Sequence, residues 1–274
     1  AVVAPADLVL ANSLSAATWS TMLAVGAAVG GLVTSWLGRD VSFVVNSASF
    51  FLSAVAIGGV RPPAAGLRPS PVEGATGLLD GLRYAWRTPA VASFVSIKGA
   101  WAVAGGVLLL LTVFGGRGFR VGESAALGIG ILYAARGVGS GLGAVGVRRL
   151  SGAGGAQLQR ALGPAFLAIG VSYAALAVVP TLWLAALAVA AAHAAGSMVW
   201  VSSTVLLQTA VPDAYRGRVF AFEFALLTLV SSGTGYATGL ALDWAGLAPR
   251  LLAAILGGMF LLPAAFWWRR ARRA

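Results

Sequence analysis

From residue 161 to residue 212 the chain carries no Asp, Glu, Lys or Arg. A water-soluble domain needs charge on its exposed faces, whereas a bilayer core calls for such runs, because each helix that crosses it takes about 20 consecutive apolar residues. Pro180 and Thr181 divide the run into two such lengths, 161–178 and 182–206. The same cut, made elsewhere at charges, prolines and polar clusters, predicts further spans at 10–36, 41–60, 91–114, 125–146, 219–241 and 250–268. The expected fold is an all-α, polytopic membrane bundle with eight transmembrane helices.

Composition closes off several other chemistries. Hydrophobic residues make up 59% of the 274 and charged residues only 10%, and the mean hydropathy of +0.88 exceeds that of ordinary soluble domains. The absence of cysteine removes disulfide frameworks, thiolate metal sites and cysteine nucleophiles. One histidine cannot build a multi-histidine metal centre. Neither H-E-x-x-H nor G-x-x-x-x-G-K-[ST] occurs, so no enzymatic activity and no cofactor are expected. A net charge of +11 suits nucleic acid only where cations gather on one surface. Here they punctuate the loops between apolar spans, which makes the lipid bilayer the expected partner and excludes nucleic acid. No signal peptide pattern opens the chain, and a first residue of Ala1 instead of Met suggests a missing beginning.

The longest interruption, 61–90, holds Pro62, Pro63, Pro69 and Pro71, then an amphipathic piece from Leu78 to Trp86. It reads as a linker between two bundles. If the linker is cytoplasmic, that side collects Arg61, Arg68, Arg83, Arg87, Arg148, Arg149, Arg160, Arg216, Arg218, Arg269, Arg270, Arg272 and Arg273. Only Arg39, Arg117, Arg120 and Arg250 fall on the other side, an asymmetry that places both chain ends in the cytoplasm of an inner or plasma membrane protein. An internal repeat adds to this, because Pro5 precedes Gly26 at the spacing by which Pro212 precedes Gly233. Residues 1–60 then correspond to the end of a six-helix unit whose complete copy is 91–274. The expected whole has twelve helices in two halves joined by the 61–90 linker, with the first four absent here.

Two cations lie inside spans, Lys98 and Arg136, where leaving a charge in hydrocarbon costs about 2.5–3.5 kcal/mol on an insertion scale. Each must face a partner or a watery cavity, unless Lys98 snorkels to the surface along its stem. Trp101 and Tyr133 stand three residues from them and share their helix faces. Glu223 is the one carboxylate within a span, readable as an interfacial partner of Arg216, Arg218 or a linker arginine, or as a proton carrier. Polar stripes at helical spacing run through Ser42, Asn46, Ser49 and Ser53, and through His193, Ser197, Trp200 and Thr204. Hydrogen bonds between helices account for both stripes, with cavity lining by Asn46 and proton coupling by His193 as the functional alternatives.

The glycines of G137-VGSGLGAVG-146 have dinucleotide-fingerprint spacing, yet they sit inside a span without the strand that such a site requires. Gly137 with Gly141, Gly139 with Gly143, Gly26 with Gly30, and Gly235 with Gly239 read instead as small pairs that let helices approach closely. The segment from Leu10 to Val33 resembles the fifth helix of the major facilitator superfamily, whose antiporter motif is glycine, proline, two residues and two glycines. Gly26, Gly30 and Gly31 match its glycines, and Ala27 stands at its proline. G81-LRYAWRTPAV-91 and V211-PDAYRGRVFAFEFAL-226 resemble that superfamily's linker helix and eleventh helix, in its branch of bacterial exporters similar to the enterobactin exporter and drug-efflux proteins. The resemblance implies secondary active, proton-coupled export of a small amphipathic molecule by alternating access. The other function class is a non-transporting membrane scaffold or an inactive transporter fragment.

Overall fold

A computed structural model describes residues 7–59, 78–119, 121, 125–151 and 154–272. The proline-rich part of the linker, Pro5 of the repeat, and Arg61, Arg68, Arg120 and Arg273 of the charge pattern lie outside the described residues, as do the side chains of Arg148 and Arg149. The described chain is helical: α1 (Leu8–Gly58), α2 (Leu78–Arg87), α3 (Pro89–Trp101), α4 (Ala104–Val113), a π-helical turn (Phe114–Gly118), α5 (Ala125–Ser151), α6 (Gly155–Ala175), α7 (Leu182–Ala210), α8 (Asp213–Asp243), α9 (Pro249–Met259) and α10 (Leu261–Ala271). Six stretches are long and apolar enough to cross a membrane, namely Leu8–Gly58, Pro89–Gly118, Ala125–Val147, Leu182–Ala210, Asp213–Asp243 and Pro249–Ala271. Eight were expected. The difference arises because 10–36 and 41–60 fall in one element, and because α6 opens on Gln157, Gln159 and Arg160, which dilute its apolarity.

α1 is two helical rods joined at Gly38, whose φ of 85° and ψ of 173° are non-helical and favour a residue without Cβ. Thr34 Oγ1 and Ser42 Oγ are hydrogen-bonded at 2.8 Å although eight residues apart. A straight helix would separate them by about 12 Å along its axis, so the chain turns back at Gly38. The first rod packs on α5, whereas every residue from Phe43 to Gly59 on the second is exposed.

Two spans are interrupted for local reasons. Pro263 has no N–H to give to the Met259 carbonyl, and the helix breaks there into α9 and α10. Between α3 and α4 the backbone tightens, with Gly105 and Gly106 amides bonding to Ala102 and Val103, three residues back. The Thr234 hydroxyl of α8, which donates to the Val230 carbonyl of its own helix at 2.9 Å, stands 3.4 Å from the Ala102 carbonyl. α8 buries a narrow stripe, Val219, Glu223, Leu227 and Thr238, against this broken span.

Close backbone contacts fix the helix directions. A Cβ on Gly137 would strike Ala24, and one on Gly31 would come within 3.3 Å of Gly130, so α1 and α5 run antiparallel. On the opposite face of α5, a Cβ on Gly139 would run into the Ala190 carbonyl and one on Gly143 into that of Ala194, so α5 and α7 run parallel. Gly141 lies near Ser20, with ordinary spacing, as do Gly235 near the Gly105 carbonyl and Gly239 near Leu109. Gly26 and Gly30 meet nothing within 4 Å, so among the described residues no helix uses them as a close contact. α7 lies at the centre, packed on α3, α5 and α6, with Thr181 capping its first turn through the Leu184 amide.

Gly143 and Gly146 give a matched test of these seams. Gly143→Ala forces α5 from the α7 backbone and is expected to destabilise by about 1–3 kcal/mol, whereas Gly146→Ala, with open space around it, is expected to gain about 0.5–1 kcal/mol from helix entropy. Thermal unfolding of the purified protein in one detergent reads both signs.

Candidate functional site

A buried ion pair inside the bundle joins residues 125 apart in the chain. Lys98 of α3 donates from Nζ to Glu223 Oε2 of α8 at 2.9 Å, and the two side chains are only 6% and 2% exposed. The second carboxylate oxygen, Oε1, accepts from Ser203 Oγ of α7 at 2.6 Å, so a single carboxylate ties three helices together. The ammonium also lies 4.5 Å from the centroid of the Trp200 ring and 5.7 Å from that of Phe220, whose faces attract a cation in a dry setting. Trp101 meets Trp200 edge to face at 5.7 Å, and Gly196 leaves the room that Trp101 Nε1 occupies.

Of the expected alternatives Lys98 takes the partner, a carboxylate on the adjacent helix, instead of snorkelling to the surface. Glu223 is not an interfacial partner of Arg216. That arginine bonds instead to the Gln208 and Val211 carbonyls at the end of α7, at 3.0 and 3.2 Å, and pairs with Asp213. Ser203 was missed in the sequence, although it stands three residues after Trp200 and so shares its helix face.

Arg136 is carried by α5, three residues before the Gly139 contact with Ala190 of α7. Its guanidinium carbon is 5.8 Å from the Trp19 ring of α1 and 5.8 Å from that of Tyr133. Its buried Nε has no hydrogen-bond partner among the described residues. Tyr133 donates its hydroxyl to the Leu108 carbonyl at 3.1 Å. His193 Nε2 meets the Tyr173 hydroxyl at 3.0 Å, both groups being buried, and Tyr173 is a second residue that sequence reading passed over. A buried phenol needs a partner for its O–H, and the lone histidine was the available one. Asn46 joins neither cluster. It stands on the exposed rod after Gly38, where its carbonyl accepts from Ser49 at 2.7 Å.

Chemically, the first cluster is an ion pair with both carboxylate oxygens bound, and the second is a cation bordered by aromatic faces with its buried Nε unpaired among the described residues. Removing one member of the tie should cost more than removing both, because the survivor is left charged in an apolar interior. Lys98→Met is expected to destabilise the protein by about 3–5 kcal/mol, and Lys98→Met combined with Glu223→Leu to recover most of that loss. Unfolding midpoints of the two single variants and the double variant check this, and additive losses would show that the pair is not coupled.

The family model for transmembrane secretion effectors matches residues 1–272. Neither a curated protein nor a solved structure matches the chain. The match spans nearly the whole sequence, and the helices that carry it are those long and apolar enough to cross a membrane. The chain is thus a multi-pass membrane protein that belongs to the transmembrane secretion effector family of major-facilitator transporters.

Proposed function

We propose that this protein is a proton-coupled secondary exporter of a small amphipathic molecule, working by alternating access, and that the Lys98–Glu223 pair is its coupling element. The observation that carries the reading is a buried carboxylate whose two oxygens are bound by groups on two other helices. A proton delivered to Glu223 cancels its charge and ends the electrostatic hold on Lys98. The ammonium is then left over the Trp200 and Phe220 rings, and α3 is free to move relative to α8. Loss of the proton restores the tie. Arg136, with Trp19 and Tyr133 beside it, supplies a cationic and aromatic surface for an amphipathic substrate carrying a negative or carbonyl group.

Several features support the larger architecture proposed with it. The turn at Gly38 and the helix directions fit eight alternating crossings, with α2 and the arginine-rich ends on the cytoplasmic face of a plasma or inner membrane. The bare rod 39–58 suits a longer protein in which further helices cover it. That rod equally favours a second reading, a fragment that does not transport without those helices, and vesicle assays separate the two.

In proteoliposomes carrying a pH gradient, the chain is expected to drive efflux of an amphipathic fluorescent dye. Glu223→Gln removes the titratable charge and replaces one acceptor oxygen by an NH2 donor, to which Ser203 Oγ must turn from donor to acceptor; per molecule in the membrane it should abolish gradient-driven efflux while leaving dye-for-dye exchange. A Gln variant that still pumps along the gradient would end the coupling proposal. Arg136→Gln should slow transport of an anionic dye roughly 10- to 100-fold, the worth of one hydrogen bond to a charged group, with the amount of protein in the membrane unchanged. A drop in abundance without a drop in rate per molecule would make Arg136 a structural residue.

A further inference from the structure

At the other end of the α3–α4 span, a cavity of about 760 Å³ opens between α4, the π-helical turn, α5, α8 and α9. That volume falls within the range of small-molecule sites. Arg117 on its rim lies roughly 28 Å from Lys98 by helical rise, so the cavity is separate from the ion pair. Leu109, Phe114 and Phe119 give it an apolar wall.

The wall is built to hold its shape. The Phe119 amide donates to the Phe114 carbonyl at 2.6 Å, closing the π turn, and the two rings lie 6.1 Å apart. Gly115 and Gly128 bring the turn and α5 into backbone contact, with no space for a Cβ on either. Turns of this kind recur at functional sites.

The charges on the rim are arranged unevenly. Arg250 is held in place by the Ala177 and Val179 carbonyls at 3.0 and 3.1 Å. Arg117 and Asp243 stand on different elements of the same rim, both exposed, with no ion pair or hydrogen bond between them or to any other described residue. One cationic and one anionic anchor thus flank an apolar wall, each unused. A simple anion would meet Asp243, and a simple cation would meet two arginines. We infer that this cavity is a binding site for an amphipathic zwitterion, with its apolar body against Leu109, Phe114 and Phe119, its ammonium on Asp243 and its carboxylate or phosphate on Arg117. This goes beyond the transport reading and does not rest on it, because binding here requires neither Glu223 nor Arg136.

Three probes with the same ring test the assignment: free phenylalanine, phenethylamine with the amine alone, and phenylpropanoate with the carboxylate alone. Their affinities are measured by saturation-transfer NMR titration of the full chain in phosphatidylglycerol nanodiscs, where no zwitterionic lipid competes. Phenylalanine is expected to bind about tenfold more tightly than either analogue, the factor for one added charge-assisted contact at a wet rim. Arg117→Gln should reduce it to the level of phenethylamine and Asp243→Asn to that of phenylpropanoate. Both side chains are exposed, so the unfolding midpoint should be unchanged in each variant. Displacement of phenylalanine by dihexanoylphosphatidylcholine assigns the site to a lipid headgroup, and its failure assigns it to a soluble amine-carboxylate; either result keeps the zwitterion site. Equal affinity for the three probes, no phenylalanine binding, or binding indifferent to both substitutions overturns it.

Discussion

Within hydrocarbon there is no water for a stray amide or carbonyl, and this one constraint governs where the chain is allowed to stop being helical. At several of the breaks and helix ends described above, a substitute partner is present. Between α3 and α4 the Ala102 carbonyl accepts from the Gly105 amide at 2.9 Å, with the Thr234 hydroxyl 3.4 Å away. The last carbonyls of α7 are taken by Arg216, and those after α6 by Arg250. Two of the loop cations thus have a second use beyond orientation, since a guanidinium offers several donors in one plane and can serve two carbonyls at once. At Gly38 the reversal is closed by hydroxyls, with Ser42 donating back to the Gly38 carbonyl at 3.0 Å while facing Thr34.

Charged side chains answer to the same constraint, at higher stakes. Lys98 and Glu223 are tolerable only as a pair, because each by itself would be an ion in a medium of low dielectric constant. The pair is therefore a poor source of stability and a sensitive one: its worth vanishes when either charge is cancelled. Arg136 has no carboxylate among the described residues and is accommodated by ring faces, a weaker arrangement that leaves its Nε unmatched.

Much of the fold was legible because lipid writes its demands into composition. The apolar run 161–212 predicted α6 and α7, separated at Pro180 and Thr181, and the structure starts α7 at Leu182 with Thr181 as its cap. The small-residue spacing in α5 was legible as a packing device, but not which neighbour each pair would meet. Gly137 and Gly139 differ by two residues and so face different helices, a distinction that requires the partners' positions. Pairing of Lys98 with Glu223 was illegible for a similar reason. Helix faces can be read along one element, but the rotation of α8 that brings Glu223 inward, away from Arg216 and its interface, is set by the stripe Val219, Glu223 and Leu227 acting with the glycines of α3 and α4. The unused rim charges Arg117 and Asp243 were visible only as loop punctuation, since nothing in their spacing shows that they share a cavity.

The two parts of the first complete span are held on α8 by different means. α4 is locked by backbone contact, because Gly105 and Gly106 bring it against Ser231, Thr234 and Thr238 with no room for a Cβ. α3 is held further from the backbone, by the Lys98 side chain and by Gly99 against the flexible end of Leu226. A seam of backbone on backbone separates only with the loss of many contacts together, whereas a side-chain tie releases when one charge changes. The tightened turn at Ala102 and Val103 lies between them, so in the proposed cycle protonation of Glu223 would let α3 pivot there while α4 keeps its place. The break in the helix, the glycines after it and the ion pair before it then belong to one device, whose parts lie within about three turns of a single span.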